Sequence, residues 1–257
     1  MKIEFHKYEG AGNDFIMIDN RAKRFDTSNH KLIKHLCNRR KGIGADGLIL
    51  LQSVENYDFE MIYFNADGQL GSMCGNGGRC IVDFAKQLNL FDKECHFLAC
   101  DGAHQAIWSQ SEVTLRMQDV HNIEVGEGYF FLDTGSPHYV KFVDSINDLD
   151  VVSEGRKIRY NIRFKDDGTN VNFVEFNDDK LYIRTYERGV EDETLACGTG
   201  IVASALSAFE SGLISTQSIE VKAFGGDLKV TFDKDKNYTA INLMGPYRCV
   251  FKGETIC

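Results

Sequence analysis

The chain matches itself. Gly12-Asn13 falls on Gly135-Ser136, Asp46-Gly47 on Thr169-Asn170, and Cys74-Gly75 on Cys197-Gly198, each pair displaced by 123 positions. Asn65 lies opposite Glu187 with a slip of one residue, and Asp101-Gly102 lies opposite Gly225-Gly226 with a slip the other way. An ordered series of turns, strands and cysteine-led helices recurring at one displacement predicts a duplicated fold. That constrains 257 residues to two like halves, expected at 1–120 and 121–257 with the polar, turn-prone stretch 118–128 as their boundary. The last strand is able to return to the first half.

Within each half the informative unit is a cysteine followed by glycines and an apolar-periodic run, Cys74-Gly-Asn-Gly-Gly-Arg79 and Cys197-Gly-Thr-Gly200. A helix beginning there presents backbone N–H groups and the positive end of its dipole to the sulfur, which favours a thiolate. The glycines let a substrate carboxylate approach the same amides. If the halves are related by an approximate two-fold, the equivalent helix starts face one another across a cleft and one small ligand meets both sulfurs. One thiolate could then remove a proton from an sp³ carbon while the opposite thiol supplies one to the other face. A disulfide joining the halves is the rival structural reading.

The elements around these units are legible as well. Residues 3–8 and Phe15-Ile-Met-Ile18 read as strands on either side of a turn holding Asn13, and 28–38 reads as an amphipathic helix. The loop Lys41-Gly-Ile-Gly-Ala-Asp-Gly47 feeds a strand and is followed by no Lys-Ser/Thr pair, so it is not a phosphate loop. Phe59-Glu-Met-Ile-Tyr-Phe64, Val171-Asn-Phe-Val174 and Leu181-Tyr-Ile-Arg-Thr-Tyr186 are strands, and 149–157 is a weak helix. The helix after Cys74 carries one apolar stripe of Cys80, Ile81, Phe84, Ala85 and Leu88. The helix 201–209 is apolar or small on nearly every face, so it belongs inside a protein, with Gly212 as its C-terminal cap.

Charge and cysteine content narrow the function classes. With a formal net charge of −9 and no dominant basic cluster, neither nucleic acid nor an anionic membrane is an expected partner. The segment Arg39-Arg40-Lys41 reads equally as a solvated helix end or a contact patch. The amino terminus lacks the apolar core of a signal peptide, and no run is long enough to span a bilayer, so a cytoplasmic location is expected. The eight cysteines, Cys37, Cys74, Cys80, Cys95, Cys100, Cys197, Cys249 and Cys257, include no C-x-x-C pair and suggest neither a zinc site nor a disulfide framework. Most are expected to be small buried hydrophobes.

Taken in order, Gly12-Asn-Asp-Phe15, Gly42-Ile-Gly-Ala-Asp-Gly47, Phe64-Asn-Ala-Asp-Gly68, Cys74-Gly-Asn-Gly-Gly-Arg79, Gly135-Ser-Pro-His138, Tyr186-Glu-Arg-Gly189 and Ala196-Cys-Gly-Thr-Gly200 resemble the motifs of the diaminopimelate epimerase family. The resemblance spans almost the whole chain. It implies an α/β (α+β) fold of two pseudo-symmetric domains, each a curled, mainly antiparallel sheet or barrel around a central helix. It also implies a homodimer that interconverts LL- and meso-2,6-diaminopimelate with neither cofactor nor metal. Carried over residue by residue, Cys74 and Cys197 are the acid/base pair. Asn13, Asn65, Asn170, Glu187 and Arg188 line the site, and Gly75-Asn76 and Gly198-Thr199 present helix-terminal donors to a carboxylate. His138 is an auxiliary residue. The chain departs from the pattern at Ser136, where many members have asparagine, and at Gly47, where some place a polar side chain.

The chemistry this implies is demanding, because an amino-acid α-hydrogen is very weakly acidic and no pyridoxal-lysine apparatus is evident. Preorganised donors must stabilise the enediolate-like charge. Arg188 suits the remote carboxylate of a dicarboxylic diamino acid and Glu187 its ammonium group, although the two could also be an ordinary surface ion pair. Two other classes remain open: a proline or hydroxyproline racemase, whose smaller substrate leaves Asn170 and Arg188 without a distal task, and a thiol-linked scaffold or redox sensor.

Overall fold

Residues 2–256 are described by a computed structural model; Cys257, counted among the cysteines above, lies outside them. Contacts divide the chain into two compact units, Met1–Leu115 with Gly245–Cys257, and Arg116–Met244. The first unit contains β1 (Lys2–Gly10), β2 (Asn13–Asp19), α1 (His30–Cys37), β3 (Gly47–Gln52), β4 (Phe59–Asn65), α2 (Gly75–Gln87), β5 (Glu94–Ala99), β6 (Gly102–Trp108) and β7 (Val113–Arg116). The second contains β8 (Ile123–Gly126), β9 (Tyr129–Asp133), β10 (Pro137–Phe142), α3 (Val151–Arg159), β11 (Asn170–Asn177), β12 (Lys180–Glu187), β13 (Asp192–Thr194), α4 (Gly198–Glu210), β14 (Ser218–Ala223), β15 (Gly226–Lys234) and β16 (Tyr238–Gly245). The chain then returns to the first unit as β17 (Arg248–Ile256), antiparallel to β1. The polar stretch 118–128 is not a bare connection: its second part is β8, hydrogen-bonded to β9.

Strand pairing carries the duplication further than the sequence could. In the first unit the order is β17, β1, β2, β3, β4, β5, β6, β7, antiparallel throughout except for the parallel pairs β2·β3 and β4·β5. The second unit repeats that pattern in the order β8, β9, β10, β11, β12, β14, β15, β16, with parallel pairs β10·β11 and β12·β14. Short β13 is an addition on β12. Each parallel pair is bridged by a helix, as parallel strands require. Thus α1 and α3 serve the first pair of their units, and α2 and α4 the second.

The latter two helices are the cores. Strands β1, β2, β3, β4 and β6 all touch α2, and β9, β10, β11, β12, β14 and β15 all touch α4, so each sheet curls round its helix. Helix α4 is buried along Gly200–Ala208 as its composition demands, and Ser204 and Ser207 satisfy their hydroxyls on the carbonyls of Gly200 and Ala203, each at 2.8 Å. Helix α2 departs from the one-stripe expectation, because all of Asn76–Ala85 is buried. Its polar face has partners: Asp83 accepts hydrogen bonds from Tyr8 Oη at 2.8 Å, Gln87 Nε2 at 2.7 Å and Trp108 Nε1 at 2.9 Å.

The cysteine expectation needs a correction. Cys37, Cys80 and Cys95 are buried, and burial pushes the thiols of Cys37 and Cys95 up to about 12, but Cys100 is exposed and Cys74, Cys197 and Cys249 are half-buried. Among the described residues no helix is long and apolar enough to cross a membrane.

Candidate active site

The way the helices start separates them into two kinds. Helices α1 and α3 begin with conventional caps, Asn29 accepting from Leu32 N and Asp150 from Ser153 N. At α2 and α4 the N-cap is a cysteine, a residue that caps poorly, and the two have nearly the same backbone: Cys74 at φ −113°, ψ 116° and Cys197 at φ −116°, ψ 110°. Equivalent sulfurs therefore stand at equivalent helix starts, at the positive ends of two buried dipoles.

In the first unit a chain of hydrogen bonds fixes what surrounds Cys74. Arg79 Nη2 donates to Asn76 Oδ1 at 2.8 Å, Asn76 Nδ2 to Asn13 Oδ1 at 2.6 Å, and Asn13 Nδ2 to Asp46 Oδ2 at 3.1 Å. The far end is anchored by Arg39, which reaches Asp46 Oδ1 at 2.7 Å and grips Asp14 through two bonds of 2.6 and 2.9 Å. Arg39 is thus an exposed residue committed to ion pairs with Asp14 and Asp46. Burial would raise the Asp14 carboxyl, but the bonds from Arg39 and Lys7 outweigh it and hold it well below the usual carboxylate range. Asn65 and Gly47 form a separate pair, directly opposite on β4 and β3. Asn65 is exposed, whereas a side chain at Gly47 would meet the Tyr63 ring at 2.4 Å and the Phe64 carbonyl at 2.6 Å. The Tyr63 ring and the Phe64 carbonyl occupy the space that a side chain at Gly47 would need.

The second unit builds a longer relay, whose direction can be read. Thr185 Oγ1 donates to Asn172 Oδ1 at 2.9 Å, so the Asn172 amide nitrogen faces His138 and donates to Nδ1 at 3.0 Å. The imidazole proton must then sit on Nε2, which donates to Thr199 Oγ1 at 2.9 Å. Thr199 Oγ1 in turn lies within hydrogen-bond distance of Cys197 Sγ, 3.5 Å away. Thr134 Oγ1 holds the Thr199 carbonyl at 2.9 Å. His138 and Asn172 are wholly buried, and burial together with the charge of Arg188 depresses the imidazole to about 3. Gly200 makes the approach possible, since a Cβ there would come within 2.3 Å of Asn172 Oδ1.

The remaining residues form a group at the ends of β11 and β12. Asn170 donates to Ser136 Oγ at 2.9 Å and to the Pro137 carbonyl at 3.1 Å, while its own oxygen accepts from Arg188 N at 2.9 Å. Its amide hydrogens therefore brace the 136–137 turn, and its oxygen fixes the backbone that carries Arg188. Ser136 is long enough for this brace. Glu187 and Arg188 are not an ion pair with each other: Glu187 Oε2 accepts from Thr194 Oγ1, and exposed Arg188 donates to the Asp167 carbonyl, both at 2.9 Å. Burial raises the Glu187 carboxyl, the Thr194 bond opposing it. Among the described residues no three His, Cys, Asp or Glu side chains converge as a metal-binding group.

Sequence reasoning missed Asp46, Arg79, Asn172, Thr185 and Thr194. Asn172 carried a signal, a polar residue inside the otherwise apolar Val171-Asn-Phe-Val174, and so did Arg79, which the repeat aligns with Val202. The other three looked like ordinary turn or strand residues.

Two similar curled-sheet units, each wrapped on a cysteine-capped helix, define a fold seen in solved structures. A Bacillus anthracis phenazine biosynthesis protein of the PhzF family superimposes with a TM-score of 0.73 at 14% identity, covering 100% of both chains. An Agrobacterium vitis hydroxyproline epimerase superimposes with a TM-score of 0.73 at 12% identity, covering 99% of this chain and 92% of that one. Within that fold the chain belongs to the diaminopimelate epimerase family, whose sequence profile matches residues 5–122 and 130–250. It is 47% identical over 253 residues to the diaminopimelate epimerase of Flavobacterium psychrophilum, covering 97% of this chain and 99% of that one. Identity to the enzyme of Chlorobaculum tepidum is 46% over 254 residues, covering 95% and 98%.

The relay makes a spectroscopic prediction. Nuclear magnetic resonance of the imidazole should find His138 as the neutral Nε2–H tautomer from about pH 4 upwards, because the folded value is far below the unfolded one of about 6.5. By the same sign, the unfolded chain binds the extra proton, so this histidine contributes an instability that grows as pH falls from about 6.5 towards 3 and is absent above it. A ring that titrates near 6.5 in the folded protein would contradict the relay.

Proposed function

We propose that the protein interconverts LL- and meso-2,6-diaminopimelate by thiolate/thiol proton transfer at one α-carbon, as an isomerase of lysine and peptidoglycan precursor synthesis. The observation that carries this reading is the matched pair of N-cap cysteines, Cys74 and Cys197, on equivalent buried helices of a family member. One cysteine, as thiolate, removes the α-proton; the other, as thiol, returns a proton to the opposite face, inverting the centre. The developing enediolate charge is met by the helix-start amides at Gly75-Asn76 and Gly198-Thr199. Asn13 and Asn65 contribute polar contacts, with Asn13 held in orientation by Asn76 and Asp46. His138 acts through Thr199 as an orienting group, since a ring kept neutral is no acid at working pH.

Exchange chemistry tests the core of this proposal. In deuterated water, without added cofactor, the α-hydrogen of diaminopimelate should exchange and that of proline should not. Replacing either Cys74 or Cys197 by alanine should lower epimerisation by orders of magnitude in a protein that stays folded. Near-normal turnover by Cys74→Ala would end the two-base mechanism, and exchange with proline instead would favour a proline-type racemase.

Recognition of the distal end is assigned to Arg188 and Glu187. Arg188 is a planar fork on a backbone fixed by Asn170, and its exposure leaves it accessible to a ligand carboxylate. Arg188→Ala should reduce kcat/KM for diaminopimelate by about 2 kcal/mol or more while sparing an analogue that lacks the remote carboxylate. Equal losses on both substrates would remove the distal role.

The working form we propose is a cytoplasmic homodimer. Chemistry by reduced cysteines suits a reducing compartment, and closed two-fold dimers are the commonest soluble assembly. Light scattering should give twice the chain mass at micromolar concentration; a monomer mass would rule the dimer out.

A further inference from the structure

Glu191 lies outside the chemistry above, yet three hydrogen bonds and an ion pair converge on its carboxylate. Oε1 accepts from Gly189 N at 3.1 Å and stands 3.4 Å from Arg159 Nε, while Oε2 accepts from Tyr160 Oη at 2.9 Å and Tyr186 Oη at 3.0 Å. The donors come from separate elements. Tyr186 belongs to β12, Gly189 to the turn that follows it, and Arg159 and Tyr160 are the last residue and the C-cap of α3. Burial would raise the Glu191 carboxyl, but the bonds from Gly189, Tyr160 and Tyr186 and the charge of Arg159 outweigh it and hold it below its ordinary value. An ionised carboxylate only accepts, so every one of these contacts is favourable.

The carboxylate closes a hairpin. Glu187 and Asp192 are the last pair of β12 and β13, so Arg188, Gly189, Val190 and Glu191 form the tip between the two strands. Glu191 N donates back to the Glu187 carbonyl at 2.8 Å, which turns the tip. That turn places Gly189 at φ 92° and Glu191 at φ 59°. Glycine adopts this region freely, whereas a glutamate there is strained and persists only where its surroundings hold it. Glu191 is therefore kept by its carboxylate in a backbone that its residue type disfavours.

Arg188 is the first residue of that tip. Its N–H donates to Asn170 Oδ1 and its Nη1 to the Asp167 carbonyl, each at 2.9 Å. Asp167 belongs to the segment after α3, and that segment is gripped by the same arginine that faces Glu191: Arg159 Nη1 donates to the Phe164 carbonyl at 3.1 Å and to the Lys165 carbonyl at 3.5 Å. Gly168 stands between the two arginine side chains, where a Cβ would come within 2.6 Å of Arg188 Cδ and 2.7 Å of Arg159 Cζ. The end of α3, the turn after it and the hairpin tip thus form one bonded assembly, with Glu191 half-buried inside it and Arg188 at its exposed surface.

We propose that Glu191 is the positioning residue that clamps the hairpin tip to α3 and so holds Arg188 ready for the remote carboxylate of the substrate. The inference rests on the distal role proposed for Arg188 and names what orders that arginine before a ligand arrives. A long side chain on an unpinned tip would surrender its conformational freedom on binding, and the cost would fall on affinity. Anchoring the tip removes part of that cost in advance. Because Glu191 acts through Arg188, its removal should matter only while the Arg188 guanidinium is present.

The test uses the full-length protein and Glu191→Asn, since asparagine tolerates a left-handed backbone but is too short to keep the contacts with α3. Backbone amide relaxation by nuclear magnetic resonance, without substrate, should give order parameters of about 0.85 across the native tip and below about 0.6 in the variant, with β12 unchanged as the check on folding. On diaminopimelate, Glu191→Asn should lower kcat/KM by about fivefold. In an Arg188→Ala background the same change should alter it by less than about twofold, because residues that act as one unit are not additive. Tyr160→Phe combined with Tyr186→Phe removes both donors to Oε2 while leaving the carboxylate in place, and should loosen the tip in the same direction. A native tip already below about 0.6, a tip as ordered in Glu191→Asn as in the native protein, or an equal kinetic loss in both backgrounds would overturn the proposal. Relaxation needs no turnover, so a native protein that shows the clamp but does not epimerise diaminopimelate would refute the proposed function and leave the anchoring of the tip standing.

Discussion

A helix start that a curled sheet wraps and no side chain caps is the constraint from which the rest follows. The first turn of any helix points N–H groups outward, and at the surface water or an Asn or Asp cap answers them, as Asn29 and Asp150 do for α1 and α3. Helices α2 and α4 begin instead with a half-buried cysteine and a glycine, with no side-chain cap, among strands that touch the helices on several sides. Under the proposed function their demand for negative charge is met by a thiolate or a ligand carboxylate. The proposed chemistry at these positions would therefore meet a need that the architecture creates.

Once the helix start is fixed, each unit surrounds it with side-chain amides and hydroxyls whose hydrogens have only one consistent direction. Asn76 and Asn13 in one unit, and Asn172 and His138 in the other, each donate in one direction and accept from the other. Chains of this kind supply orientation without net charge, which is why they tolerate burial. The exception is Arg79, and its counterpart Val202 shows that the fold itself does not require a cation at that point.

The duplication was legible in the sequence because its markers are residues with no substitute: glycines at turns and cysteines at helix starts. The matched pattern of parallel and antiparallel strands then extended it to elements whose sequences no longer resemble one another. Burial of both faces of α2 was not legible, since Asp83 and Arg79 read as a solvent face until Tyr8, Trp108 and Pro246 arrive from distant parts of the chain. The same holds within the site. Thr199 and Gly198 follow Cys197 directly and could be grouped with it by position. Asn172 and Thr185 reach it only through strand register and side-chain reach, which no spacing encodes. Asn170 illustrates the converse: its residue type suggested a ligand contact, and its surroundings show that both amide hydrogens are used within the protein.

The return of β17 to the first unit bears on how the protein emerges from the ribosome. The second unit is one continuous segment, Arg116–Met244, and has every strand it needs before the last residues are translated. The first unit, although made earlier, lacks the neighbour of β1 until β17 has been synthesised. Until then β1 is an open edge with unpaired backbone groups, the kind of surface that recruits other chains. The outer edge of β1 can therefore be covered only once residues 248–256 have been synthesised.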